Sequence, residues 1–309
     1  TLFRSHHIMK LGISLAIDWI RGVLIDDGEV CYRTQVLTPI DCQQSVDTVL
    51  HMIFSIQRTY GNIDFVGISI MQSNVSRWGP LDRITNFFEM AIDKKTGIHC
   101  QSFGPALVVL QNLDTSLLSG LKGNIMSIVV DFGCELCVVD KYNDDSVFDH
   151  AINVSWAHLP LKNYQPLIDG ISPVCECCGI GCVHQFISTS GIERQYFQFS
   201  LQRKSALEII QGVDGSDAWA QKVYRMWMDQ LARALLDPIM VFKPRLLVLS
   251  GLATIHSDFP LSLKSVLSRH CPNNYLPEII RLNYEEYRFA YDAAMANKEK
   301  AQYTSTLAL

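Results

Sequence analysis

Cys175-Glu176-Cys177-Cys178-Gly179-Ile180-Gly181-Cys182, with His158 upstream and His184 just beyond, is the densest cluster of metal-binding side chains in this chain. Three thiols in a C-x-C-x4-C pattern wrap a single ion, because the two glycines permit the tight left-handed turns that bring thiolates around one point. His158 completes a tetrahedron, so the pattern predicts a closed, structural zinc site of His158, Cys175, Cys177 and Cys182. His184 is the alternative fourth ligand. Cys178 is left over and reads as a packed thiol. The competing reading is a group of buried or redox-labile thiols without a metal.

The other six cysteines, Cys31, Cys42, Cys100, Cys134, Cys137 and Cys271, lie in apolar surroundings and read as small core residues. Ten cysteines in 309 residues are too few for a disulfide scaffold. A composition of 48% apolar and 18% charged residues is globular, with length enough for two domains. The 26 basic and 31 acidic side chains leave a formal charge of -5, so no overall positive field exists to neutralise a nucleic-acid backbone. No apolar run has the length of a membrane span, and residues 1–10 lack the apolar centre of a signal peptide. The expectation is a cytoplasmic protein with neither a membrane nor a nucleic-acid partner through this chain.

Further outward, strands and helices alternate. Leu11 to Ile17, Gly22 to Ile25 and Val30 to Val36 read as an antiparallel meander with a turn at Asp26-Asp27-Gly28. Helical spacing of Val46, Val49, Leu50, Ile53 and Ile56 predicts a helix ending at Gly61. A strand at Asp64 to Ile70, a helix at Thr85 to Lys95, a short extended segment at Ile98 to Ser102 and a helix from Ala106 to Ser119 follow. The pattern then restarts: strands at Ile125 to Asp131 and Glu135 to Tyr142, a turn at Asn143-Asp144-Asp145, a helix from Ser216 to Leu236, a strand at Arg245 to Leu249, a helix from Phe259 to Arg269 and a last helix from Tyr284 to Lys298. This is an α/β class with a weak internal repeat. The expected units are 9–120, completed by helix 284–300, and 121–283, which carries the zinc loop 158–184. Trp219, Trp227 and Met228 on the long helix read as core.

The His158 and Cys175 to Cys182 pattern, the Gly181-Cys182-Val183 step, Val66-Gly67-Ile68-Ser69, Thr96-Gly97 and Phe242-Lys243-Pro244 to Ser250-Gly251 together resemble the ROK family, which groups bacterial sugar kinases with sugar-responsive transcriptional repressors. The resemblance implies an actin-like, hexokinase-like ATPase fold of the ribonuclease H kind, two α/β domains around a cleft. It also implies a structural zinc ion, a sugar or amino-sugar ligand, and a homodimer or tetramer.

The chemistry departs from the kinase pattern. Where family kinases carry a D-x-G-G-T-K phosphate loop, this chain has Ser14-Leu15-Ala16-Ile17-Asp18-Trp19. Ala16 and Ile17 fill space that glycines leave open, and Asp18 puts a negative charge where phosphate oxygens sit. The second loop, normally G-T-G-x-G, reads Asp131-Phe132-Gly133-Cys134-Glu135, unless Asp131 and Glu135 are simply exposed strand-end acids. Where the family places its general-base Asp within E-N-D, this chain has Phe103-Gly104-Pro105, and no carboxylate lies between Ile98 and Leu113. The two family glutamates that grip sugar hydroxyls are Ser155 and His184, leaving Ser155, His158 and His184 as the ligand-facing set. Asn74, Trp78 and Asn86 are further polar or stacking candidates.

The expected protein is therefore a catalytically degenerate family member: a sugar sensor or regulatory protein without its own DNA-binding head, since only about ten residues precede Leu11, where the repressors carry several dozen. The alternative is an active kinase for a hexose or an N-acetylmannosamine-type sugar. In that case ATP and Mg²⁺ join the cofactors, and Asp114 or Asp131 is recruited as base.

Overall fold

A computed structural model describes residues 8–141, 151–296 and 303–307. The turn expected at Asn143-Asp144-Asp145 lies outside them. The chain divides into two compact units, Thr1–Asn112 with Glu286–Ala301, and Leu113–Glu285 with Gln302–Leu309.

In the first unit β1 (Met9–Leu15), β2 (Trp19–Asp26) and β3 (Glu29–Leu37) form an antiparallel meander. β4 (Phe65–Ile70) pairs parallel with β1, and β5 (Cys100–Phe103) pairs parallel with β4. Helix Cys42–Tyr60 begins where the Asp41 carboxylate accepts the Gln44 N–H, and helix Leu81–Thr96 stops at Gly97, whose φ of 70° suits a residue without Cβ. The apolar faces of both helices, including Val49, Ile53, Phe88 and Ile92, bury against Leu11, Ile13, Val66 and Ile68 of one sheet face.

The opposite face receives helix Arg288–Met295 at very short range. A Cβ on Gly12 would lie 1.8 Å from the Ala290 carbonyl oxygen, and one on Gly67 would lie 2.0 Å from that of Ala293. Backbone therefore rests on backbone, and Ala290 and Ala294 complete the layer with Val23 and Ile25. Gly12→Ala is expected to cost about 3 kcal/mol, the upper end for overpacking, read as a lower urea midpoint. An unchanged midpoint would show that the helix is not seated there.

The second unit repeats the plan. The first sheet runs β3-β2-β1-β4-β5, and the second runs β10-β9-β6-β7-β8-β11. Here β6 is Gly123–Val130, β7 Cys134–Lys141, β8 Ala151–Val154, β9 Leu246–Ser250, β10 Glu278–Arg281 and β11 Tyr303–Leu307. Read from β8, the order β8-β7-β6-β9-β10 repeats the first sheet with the same parallel and antiparallel pairings, and β11 adds to the β8 edge. This doubled α/β arrangement is that of the two-domain actin-like ATPases. Helices Ala218–Phe242 and Phe259–His270 pack Trp227, Leu231, Leu235, Phe259 and Leu263 on Met126, Ile128, Leu136 and Leu249.

Several expectations need correction. The helix expected from Ala106 to Ser119 is two, Pro105–Gln111 and Thr115–Leu118. Asn112 folds its side-chain amide back onto the Val108 carbonyl, and Asp114 starts the next turn by accepting the Ser116 N–H. The last helix is Arg288–Met295, shorter than expected. Trp227 and Met228 are core, but Trp219 is half exposed, stacked with Phe199 beneath the Lys222 ammonium. Cys31 is exposed and Cys42 half-buried, whereas Cys100, Cys134, Cys137 and Cys271 are buried.

Candidate functional site

The cysteine loop hangs from the end of β8 through Trp156. Helix Ala218–Phe242 contains Pro238, which has no N–H to give the carbonyl one turn back. The Trp156 indole N–H fills that gap, donating to the Ala234 oxygen at 2.7 Å from a fully buried position. The ring thus fixes the β8 exit against the helix, and His158 follows two residues later.

A short antiparallel pairing then sets the loop. Leu161 N–H donates to Gly181 O, Val183 N–H to Leu159 O and His184 N–H to Ala157 O. Within the loop the Cys175 N–H donates to Gly179 O and the Cys178 N–H to Cys175 O, with Cys178 and Gly181 at φ values of 69° and 75°. These turns gather one ligand atom each from His158, Cys175, Cys177 and Cys182 within 4.8 Å of one another. Cys177 Sγ lies 3.5 Å from Cys182 Sγ, and Cys175 Sγ lies 3.5 Å from His158 Nδ1. Such spacings match the edges of a tetrahedron with metal–sulfur bonds of about 2.3 Å, so the donor set fits one zinc ion. Gly179 has no room for a side chain: its Cβ would meet Cys182 Sγ at 2.9 Å and Cys177 Sγ at 3.2 Å. Cys178 is exposed, not packed, because its left-handed backbone turns it away from the group.

His184 stands beside this set. Its Nε2 is 3.0 Å from Cys175 Sγ, and its ring meets that of His158 edge-on at 5.1 Å. Burial, with His158 adding, pushes its imidazole down to about 4, so it is neutral at physiological pH. Ser155 is half-buried and its hydroxyl has no protein partner among the described residues. A neutral imidazole and a hydroxyl suit an uncharged polyol.

The two turns that match phosphate loops are closed by their own side chains. In the first, the Ala16 N–H donates to Trp19 O, the Trp19 N–H to Asp18 Oδ1 at 2.9 Å, and Thr38 bonds both Asp18 O and Ala16 O. Neither Ala16 nor Ile17 takes the positive φ of a glycine loop. In the second, Asp131 Oδ1 accepts the Phe132 N–H at 2.8 Å and Oδ2 accepts the Leu252 N–H at 2.9 Å. Gly251, at φ 104°, makes this possible by lying flat on β6, where a Cβ would stand 2.3 Å from Val130 O. The Asp131 carbonyl also accepts from Thr189, joining the turn to the helix that follows the cysteine loop. Glu135 is 3% exposed and therefore not a surface acid.

Pro105 is the first residue of its helix, capped by Gly104, and is buried. Asp114 is engaged with the Ser116 N–H. The Trp78 indole N–H donates to Ile40 O, and no side-chain placement is described for Asn74.

What sequence reading missed is the polar network behind the loop. Buried Asp169 accepts from Arg233 at 2.5 Å and from Gln230 at 3.2 Å, Gln230 donates also to Gln195, and Arg233 reaches Lys162 O. It ties residues 162–169 to the long helix.

Comparisons with known proteins agree with this geometry. The ROK family description matches residues 152–283. The N-acetyl-D-glucosamine kinase of Aliivibrio salmonicida (strain LFI1238) is 30% identical over 119 residues, and the match spans 37% of this chain and 37% of that protein. A ROK family glucokinase from Streptomyces griseus, solved with glucose and AMPPNP, superposes with a TM-score of 0.69 at 14% identity, covering 93% of this chain and 98% of that one. A ROK family transcriptional regulator, a homolog of the E. coli MLC protein, gives 0.68 at 14% identity over 94% and 77%. A glucokinase from Balamuthia mandrillaris in complex with glucose gives 0.68 at 12% identity over 95% and 94%.

Proposed function

Since the chain belongs to the ROK family, we propose that it is a sugar-responsive regulatory protein built on a kinase scaffold, with a structural zinc ion and without phosphoryl-transfer activity. The observation that carries this reading is the Asp131 carboxylate, which holds the Phe132 and Leu252 amides. Backbone N–H groups in such turns are what a polyphosphate uses. Here an anion built into the chain already occupies them, and a second anion would meet like charge. Asp18 closes the other turn in the same way. The sugar side keeps uncharged hydrogen-bonding groups at Ser155 and His184.

Zinc, when bound, supplies a crosslink between the β8 exit and the cysteine loop. His158, Cys175, Cys177 and Cys182 hold it, and Gly179 keeps the space beside two of the thiolates clear. Gly179→Ala is expected to weaken zinc affinity about 10–100-fold, the range for disturbing the support of a metal ligand, measured by competition with a chromophoric chelator. Unchanged affinity would mean that the thiols do not converge as described.

The kinase alternative draws on the 30% identity to an N-acetyl-D-glucosamine kinase. It needs a base, and both acids within reach in the sequence, Asp114 and Asp131, are engaged with backbone amides. A thermal-shift panel of hexoses and N-acetylhexosamines tests the sensor reading. A cognate sugar at one hundred times its Kd adds about 2.7 kcal/mol and raises Tm without nucleotide. A panel in which no sugar moves Tm would contradict it.

A further inference from the structure

The second sheet has a ligand-sized depression at the end away from the phosphate turns. β6, β9 and β10 run parallel, and the last residues of β6 and β9 lead into the Asp131 and Gly251 turns. Around their first residues lies a cavity of about 590 Å³ lined by Lys122, Lys243, Arg245, Asn274, Tyr275 and Glu278. The length of β6 places the two ends roughly 25 Å apart at about 3.3 Å per residue. The volume is within the range of small-molecule sites.

Its charge is out of character for an acidic chain. Some cations elsewhere are paired, Arg21 with Glu286, Lys204 with Asp217, Arg233 with Asp169 and Arg288 with Asp292, while others, Arg194 and Arg281 among them, bond backbone carbonyls. Lys122, Lys243 and Arg245 have no carboxylate partner among the described residues, and Glu278 is the one acid in the lining. Three cations less one carboxylate leave two positive charges, against the roughly −1.5 to −2 of a phosphomonoester at neutral pH.

The cations also stand on constrained backbone. Lys243 caps helix Ala218–Phe242 with φ 47° and ψ 55°, a left-handed conformation that disfavours a residue with a Cβ. The helix dipole favours a cation at that position, but it does not account for Lys122 and Arg245 beside it. The Arg245 N–H donates to Asn124 O, and its carbonyl accepts from the Glu278 N–H, clamping it between β6 and β10. The Lys243 ammonium lies 5.6 Å from the centre of the Tyr275 ring.

We propose that this depression is a binding site for a small phosphorylated ring compound, with the phosphomonoester among Lys122, Lys243 and Arg245 and the ring against Tyr275. The proposal is independent of the sugar-sensor reading. A sugar phosphate and a nucleoside monophosphate share the chemistry, so calorimetric titration of the full chain uses glucose 6-phosphate, AMP, inorganic phosphate, glucose and adenosine as separate arms. At least one of glucose 6-phosphate and AMP is expected to bind. A Lys243→Gln, Arg245→Gln variant is expected to bind it at least about tenfold more weakly, since a hydrogen bond to a charged group is worth about 1.5–3 kcal/mol. Both side chains are exposed, and an unchanged Tm checks that the variant is folded. Equal binding by the variant, or no binding of either phosphorylated compound at millimolar concentration, would overturn the site. Inorganic phosphate binding as tightly as both would overturn the ring contact on Tyr275.

Discussion

Replacing Cys177 and Cys182 together by alanine is expected to remove about one zinc ion per chain and to destabilise the second unit by several kcal/mol. Structural zinc binding in small domains is worth about 10–16 kcal/mol, and that energy is folding energy. Apart from polar contacts, the loop has little else to hold it. Leu167, Ile168, Ile171, Val174 and Ile180 are all exposed, so residues 167–180 build no apolar core of their own. Their backbone is tied by single bridges, Pro160 to Cys182 and Val174 to Ile180, and by a few side-chain bonds, Arg194 to Ile171 O and the Ser172 N–H to the Tyr164 hydroxyl among them. Without the metal, the variant's loop should become a protease target and its urea midpoint should fall, while metal analysis reads below one tenth of the wild-type content. A wild type that is metal-free yet as stable as before would remove zinc from this account.

Incubation with ATP, Mg²⁺ and a panel of hexoses and hexosamines is expected to release ADP no faster than a sugar-free blank. A general base contributes about 10²–10⁴ in rate, and an ungapped count from Thr96-Gly97 sets Pro105, a residue at a helix start, where the family resemblance expects it. Acids close by in sequence have other partners: Glu89 accepts the Ser102 N–H, and Asp114 that of Ser116. Loss of phosphate positioning adds to the loss of the base, because phosphoryl transfer depends almost wholly on position and charge stabilisation. Sugar-dependent turnover in the ordinary kinase range of about 1–100 s⁻¹ would restore the kinase alternative.

The cysteine cluster was legible because its chemistry is local: four thiols and two glycines in eight residues leave few folds of the segment. Strand and helix alternation was legible wherever apolar spacing was regular, as in helix Cys42–Tyr60. Helices Thr189–Ser200 and Ala206–Gln211 were not, because the first buries Gln195 and Thr189 among its core residues and carries Gly191 in its first turn. Its burial depends on a partner, Gln230, that no periodicity reveals. Asp169 and Arg233 are buried against each other across 64 positions of sequence, a pairing that no local pattern reveals. The role of Asp131 was half legible. Its charge was visible, but its bond to Leu252 joins residues 121 positions apart. Gly12 and Gly67 likewise gave no sign that a helix from the far end of the chain rests on them.

The claim on which the rest depends is that this chain's own carboxylates fill the places of nucleotide phosphates. Calorimetric titration of the zinc-loaded protein with MgATP, with and without a saturating sugar, measures it directly. The account predicts no heat of binding at the phosphate turns up to millimolar nucleotide, in wild type and in the Lys243→Gln, Arg245→Gln variant alike. Saturable MgATP binding in that variant with a Kd in the micromolar range would contradict it.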